Sequence, residues 1–286
     1  MKRSSITIRL LLALAAAALC AAPAAAASAF SEGAEAELGE HAEALIRETA
    51  GVYGSDLPED QPGVIDWDAA VRVYVGADVF DLETAETEAV RAALEDGGWI
   101  WLLPVRFGED TVLINVQKGL PLREDAAELF TEAERREVEA NVGKWIGSVW
   151  THYPPGQSPT DYDALLRSML GRVPEGTMLA GGQPFFVQPV ALIPGDDGTI
   201  ESLAMFFTPQ GDPEDIAPAE TAPGVYDYGA VRALVGRMVP PAPDVDGGGW
   251  ELPEDGASPW PWLALGGSLA LLPVGVPLAV QKLRKR

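Results

Sequence analysis

Residues 99–118 read WIWLLPVRFGEDTVLINVQK, and this stretch decides the fold class. Two runs rich in β-branched and aromatic residues, Trp99–Phe107 and Thr111–Lys118, flank Gly108-Glu109-Asp110, a connection of hairpin size. Val112, Ile114 and Val116 alternate with Leu113 and Asn115, the period of a strand with two unlike faces. Trp99 and Trp101 fall on one face of the first strand, because successive side chains alternate. If exposed, the pair would stack on sugars or hold a peptide partner, which makes both candidate binding-surface residues. Packing under a helix is the alternative reading.

Helical patterns surround this hairpin. Glu32–Thr49 is rich in Ala and Glu with Leu38 and Leu45 a heptad apart, and Thr84–Leu94 is stopped by Gly97-Gly98. Thr131–Trp150 reads as the best helix: Thr131 and Glu134 make a capping box, and Val138, Val142, Trp145 and Val149 follow at helical spacing. Ser158-Pro159 opens a shorter helix carrying Leu165, Leu166, Met169 and Leu170, and Tyr226–Met238 reads as a modest last one. Val71–Val75 is a short strand, and Phe185–Ile193 with Ile200–Phe207 forms a second hairpin. Gly51–Gly63 and Gly211–Pro223 read as loops. The order α-β-α-β-β-α-α-β-β-α predicts an α+β domain, with helices packed on a mainly antiparallel sheet. Pro104-Val105 and Pro189-Val190 each precede an acidic turn, so residues 64–150 and 158–239 are candidates for two related halves.

The ends point to a membrane. Lys2, Arg3 and Arg9 precede an apolar run over Leu10–Cys20 and the small residues Ala25-Ala26-Ala27, the three parts of a secretory signal covering 1–27. Cys20 suggests a lipid anchor, but bulky Leu19 stands where a small residue is expected. Cleavage after Ala27 or Ala29 leaves a body without cysteine, whose stability comes from packing rather than disulfides. Residues 28–239 form the expected extracytoplasmic domain, and 240–259 are Pro-, Gly- and Asp-rich, a stalk. Trp260–Val280 is apolar, and the expected transmembrane helix over 260–281 is long enough for about 30 Å, the thickness of a bilayer core. Trp260 and Trp262 suit the outer interface, while Lys282, Arg284, Lys285 and Arg286 in the tail 282–286 favour the cytoplasm. Leu252-Pro253-Glu254-Asp255-Gly256 resembles a Gram-positive LPxTG cell-wall sorting signal, with Asp255 where that motif carries its scissile Thr. Wall attachment through Leu252–Gly256 is therefore an alternative to simple membrane anchoring.

All 43 acidic residues lie between the terminal segments, whereas seven of the 20 basic residues fall within them. The 13 remaining cations against 43 acids leave the exported region at about −30. Such a field repels nucleic acid and anionic lipid, and it attracts Ca²⁺, Mg²⁺ or basic partners. It is also the ordinary surface of a soluble or salt-adapted protein.

Catalytic motifs are sparse. No G-x-S-x-G elbow, P-loop or G-x-G-x-x-G after a strand occurs, so neither serine-hydrolase nor nucleotide chemistry is indicated. His41 has Glu37 one turn earlier, an incomplete ligand set, and His152 follows the expected long helix. Paired carboxylates are the remaining metal candidates: Asp66 with Asp68 around Trp67, and Asp196 with Asp197 in the second hairpin turn. Asp78 with Asp81, and Asp244 with Asp246, are further acidic pairs.

The sequence of signal, α/β domain and C-terminal anchor resembles TPM-domain proteins, some of which act as phosphatases. The Trp99–Lys118 hairpin, Gly119 and the later Thr131-containing helix are similar in order to part of that domain, over roughly a third of the chain. The resemblance implies a phosphatase-like activity but assigns no site residue. The expectation is thus a membrane-anchored acidic domain that binds a membrane or envelope partner and needs no cofactor. The alternative is a cell-surface hydrolase using Ca²⁺ or Mg²⁺ held by clustered carboxylates.

Overall fold

The computed structural model describes residues 27–54, 56–58, 60–122, 130–183, 186, 188–206 and 220–236. Residues 1–26 of the expected signal, the expected stalk at 240–259 and the expected anchor with its basic tail lie outside these residues, as does the Asp244/Asp246 pair. Among the described residues no helix is long and apolar enough to cross a membrane.

The hairpin forms as its alternation requires. Strand β3 (Trp99–Phe107) and strand β4 (Asp110–Lys118) pair from Ile100↔Gln117 to Phe107↔Asp110. One face buries Trp101, Leu103, Val105 and Phe107 beside Val112, Ile114 and Val116. Full burial of such a side chain is worth about 1.5–3 kcal/mol. Helices α1 (Ala34–Leu38) and α2 (Ala42–Tyr53), joined by a 3₁₀ turn at Gly39–His41, cover it through Ala34, Leu38 and Leu45. The single helix expected over Glu32–Thr49 is thus broken at Gly39, a poor helix former.

Strands β1 (Val64–Ile65) and β2 (Val71–Tyr74) share one edge of β3 end to end: Ile65 pairs with Val105, and Val71 with Leu102. Pro104 lies at the break between them. Its missing N–H therefore costs no ladder bond, and its carbonyl accepts from Asp66 N at 2.9 Å. Helix α3 (Thr87–Gly97) joins β2 to β3, with Val90 and Leu94 buried.

The expected helix over Thr131–Trp150 is the main correction. Helix α4 (Glu132–Asn141) keeps the capping box but stops there, and β5 (Trp145–Tyr153) follows, antiparallel to β4. Gly143, at φ 75, turns the chain between them. Val142, Trp145 and Val149 therefore form no helical seam. The run Trp145–Tyr153 is aromatic and β-branched, and β4 offers it an open edge, so pairing wins over helical spacing. A bulge between Val149 and Gly147 lets Ser148 donate its hydroxyl to Asn115 O.

The second half adds α5 (Tyr162–Leu170), capped by Asp161, then β6 (Met178–Ala180), β7 (Val190–Pro194) and β8 (Ile200–Met205). Last come β9 (Glu220–Ala222), β10 (Val225–Asp227) and α6 (Tyr228–Val235), capped by Asp227. The loop expected through Pro223 thus contains a strand, and the last helix starts two residues later than expected, after β10. The β7–β8 hairpin is shorter than expected, and β1, β6, β9 and β10 are additions to it.

All ten strands form one sheet in the order β5-β4-β3-β2-β6-β7-β8-β10-β9, with β1 beside β3. Every pair is antiparallel except β2 with β6, which meet at Tyr74↔Ala180. The protein is therefore an α+β fold: a large, mainly antiparallel sheet with a few helices. Two antiparallel runs extend outward from that one parallel seam. Gln183 secures it: its amide donates to Ala77 O and Gly181 O, and its oxygen accepts from Val79 N at 2.9 Å.

Candidate functional site

The register of β2, β3, β4 and β5 brings six aromatic and cationic residues onto one face. Arg72 lies opposite Trp101, Tyr74 opposite Trp99, and Lys118 opposite Trp145. The result is a ladder. The Arg72 guanidinium sits 4.7 Å from the Trp101 ring and 5.2 Å from the Trp99 ring. The Lys118 ammonium sits 5.5 Å from the Trp99 ring and 5.2 Å from the Trp145 ring. Each cation rests between two negative ring faces.

Glu37 on α1 holds the inner end. Its Oε2 accepts from Trp101 Nε1 at 3.0 Å and Trp99 Nε1 at 3.3 Å, and its Oε1 accepts from Arg72 at 3.2 Å. Arg72 also donates to Glu32 O at 3.0 Å, while among the described residues its Nε has no partner. Gly33, at φ 86, leaves room for this guanidinium, since a Cβ there would lie 2.9 Å from it.

The outer end reaches solvent at a corner of the sheet. Gly119 N donates to Lys144 O and Gly143 N to Gly119 O, both at 2.8 Å. This clasp is tight: a Cβ on Gly119 would lie 2.1 Å from Asn141 O. It fixes Lys118, Leu120, Val142, Lys144 and Trp145 as neighbours. Leu120 is 56% exposed and Val142 43%, two of the five large apolar side chains exposed among the described residues.

The expected tryptophan pair divides between these ends. Trp101 is fully enclosed and offers no surface, whereas Trp99 is half-buried and belongs to the ladder. Sequence reading missed Arg72, Lys118, Lys144 and Trp145. Trp145 was assigned to a helix, and the cations become visible only once the strand register is fixed.

The carboxylate candidates stand apart from this site. Asp66 lies 3.6 Å from Arg106, and Asp68 is exposed on the 3₁₀ turn Trp67–Ala69. Asp196 and Asp197 occupy the β7–β8 turn, where Asp197 accepts from the Thr199 backbone and hydroxyl. These bonds hold the Asp197 carboxyl below its ordinary value. Among the described residues no three His, Cys, Asp or Glu side chains converge as a metal site would require. Glu37 is committed to the ladder, and His41 lies 3.4 Å from Glu40 instead. His152 sits in β5, not after a helix. Its Nε2 is 2.7 Å from Asp110 Oδ1 and its ring 5.5 Å from that of Tyr53, whose hydroxyl donates to Trp150 O. These contacts pin α2 to the edge strand.

Comparison with protein-family models, with curated proteins and with solved structures finds no match. The class that the fold itself defines is an α+β domain with a cation–aromatic ladder ending at an exposed corner.

Proposed function

We propose that this chain is a membrane-tethered extracytoplasmic binding module without catalysis of its own, and that it holds an envelope partner at the Leu120/Val142/Trp145 corner. The supporting observation is the pairing of exposed apolar side chains with a rigid base. Leu120 and Val142 are exposed, the Gly119 clasp ties their backbones together, and Lys118 joins Trp145 to the ladder next to them in sequence. A preorganised tryptophan is a typical binding hot spot, and rigid groups lose little side-chain entropy on docking. The signal-like segment at 1–27, the stalk at 240–259 and the apolar run at 260–281 support export and a single membrane crossing.

The test places a photoreactive amino acid at position 142 in the full-length chain in intact cells, with position 109 in the β3–β4 turn as control. A discrete adduct from 142 and none from 109 is expected. Equal labelling from both positions removes the corner as a docking surface. Protease added outside intact cells should digest the body of the chain, and full protection would overturn the proposed topology.

A further inference from the structure

Lysine is rare here. Between residues 3 and 281 the chain has only Lys118 and Lys144, although the same stretch carries every one of its 43 acids. Both lysines fall at the one corner, joined by the bond from Gly119 N to Lys144 O. Both are exposed, and no carboxylate among the described residues lies within ion-pair distance of either. By contrast, Arg72, Arg91, Arg106, Arg136 and Arg167 each face a carboxylate. Exposed Glu139, three residues before Val142, is the nearest acid along α4.

We infer that the corner is a docking site for an acidic peptide segment bearing an apolar side chain, supplied by the partner. This rests on the reading of the corner as the binding surface and adds the chemistry of what binds. Carboxylates would meet the exposed ammonium groups of Lys118 and Lys144, and the apolar side chain would cover Leu120 and Val142. The acidic remainder of the domain does not forbid this. At physiological salt, charges are screened beyond about 8 Å, so a short segment senses the corner and not the distant acids. An extended anionic membrane would face the whole acidic surface at once, which favours the peptide over lipid.

The experiment uses the full-length chain in neutral detergent with three probes: a labelled Glu/Asp-rich peptide containing one Leu-Phe pair, its Gln/Asn counterpart, and phosphatidylglycerol vesicles. Binding is read by anisotropy, and contact by carbodiimide coupling, which joins carboxylate to lysine. The acidic peptide is expected to bind, to couple at Lys118 or Lys144, and to weaken about tenfold with K118Q/K144Q, the worth of two semi-exposed charge pairs. Raised salt and the Gln/Asn peptide should weaken binding similarly. Equal binding of the Gln/Asn peptide, lost with L120S/V142S, overturns the acidic class while leaving the corner a binding surface. Vesicle binding that depends on the lysines, without peptide binding, overturns it in favour of lipid. No binding by any probe, together with no adduct from position 142, removes both the inference and the reading beneath it.

Discussion

Glu37 and Trp101, 64 residues apart in sequence, are joined by a 3.0 Å hydrogen bond from the enclosed indole to the carboxylate. The same carboxylate balances Arg72, so one side chain satisfies a buried donor and a half-buried cation. Glu37→Ala is expected to cost about 2–3 kcal/mol, because both partners stay behind without it. Glu37→Gln keeps an acceptor for the indole and should cost about half as much. Urea unfolding of the full chain in detergent, followed by tryptophan emission, separates the two. Equal, negligible losses would show that the ladder does not depend on Glu37.

Gly76, just past the end of β2, and Gly97, the last residue of α3, meet backbone to backbone. A Cβ on Gly76 would lie 1.7 Å from Gly97 O, closer than any real contact. Neither residue has positive φ, so the requirement is for space and not for a left-handed conformation. Gly76→Ala should therefore force α3 away from the sheet and cost about 3 kcal/mol, whereas Gly98→Ala meets open space and is strained only by its φ of 88. Thermal melts of the two variants test this ordering.

Tyr162 on α5 is buried against Phe206, and burial, with a smaller contribution from Tyr153, pushes its hydroxyl up to about 12. Below about pH 10 neither folded nor unfolded chain ionises there, and stability is unaffected. Between about 10 and 12 the unfolded chain releases a proton that the folded chain keeps. Stability then falls by about 1.4 kcal/mol per pH unit. Tyr162→Phe should flatten this alkaline limb. Denaturation midpoints between pH 9 and 12 give the comparison, and an unchanged slope would count against Tyr162 as its source.

Thr131 caps α4 through a complete box, with Glu134 N donating to its hydroxyl and its own N–H donating to Glu134. No residue of α4 is buried, so the helix depends on local bonds more than on packing. Thr131→Ala should cost about 1 kcal/mol locally and leave the global unfolding midpoint nearly unchanged. Faster amide exchange confined to Glu132–Asn141 is the expected signature, with Thr131→Ser restoring protection.

The readable parts of the fold were those whose signal is local. The β3–β4 hairpin, its turn and the Thr131 box follow from alternation and capping, which need no distant partner. The segment 142–153 failed because Val142, Trp145 and Val149 fit helical spacing while the residues between them suit a strand. Only the free edge of β4 decides between the two. The short strands β1, β6, β9 and β10 carry too few residues for any period to emerge, and they exist because a neighbouring strand completes their hydrogen bonds.

The candidate site divides in the same way. Trp99 and Trp101 were visible as a same-face pair, yet burial separated them: α1 and Glu37 enclose one and leave the other at the ladder. Arg72, Lys118 and Trp145 have nothing in their local sequence to mark them, because cross-strand pairing alone sets their neighbours.

The sequence by itself determined the α+β class, the acidic body between apolar ends and the scarcity of lysine, since composition and short-range period carry that information. Only the tertiary structure decided that the two lone lysines share a corner, that Trp101 is core, and that residues 145–153 form a strand. Each of these depends on contacts between segments far apart in the chain, whose geometry no local pattern encodes.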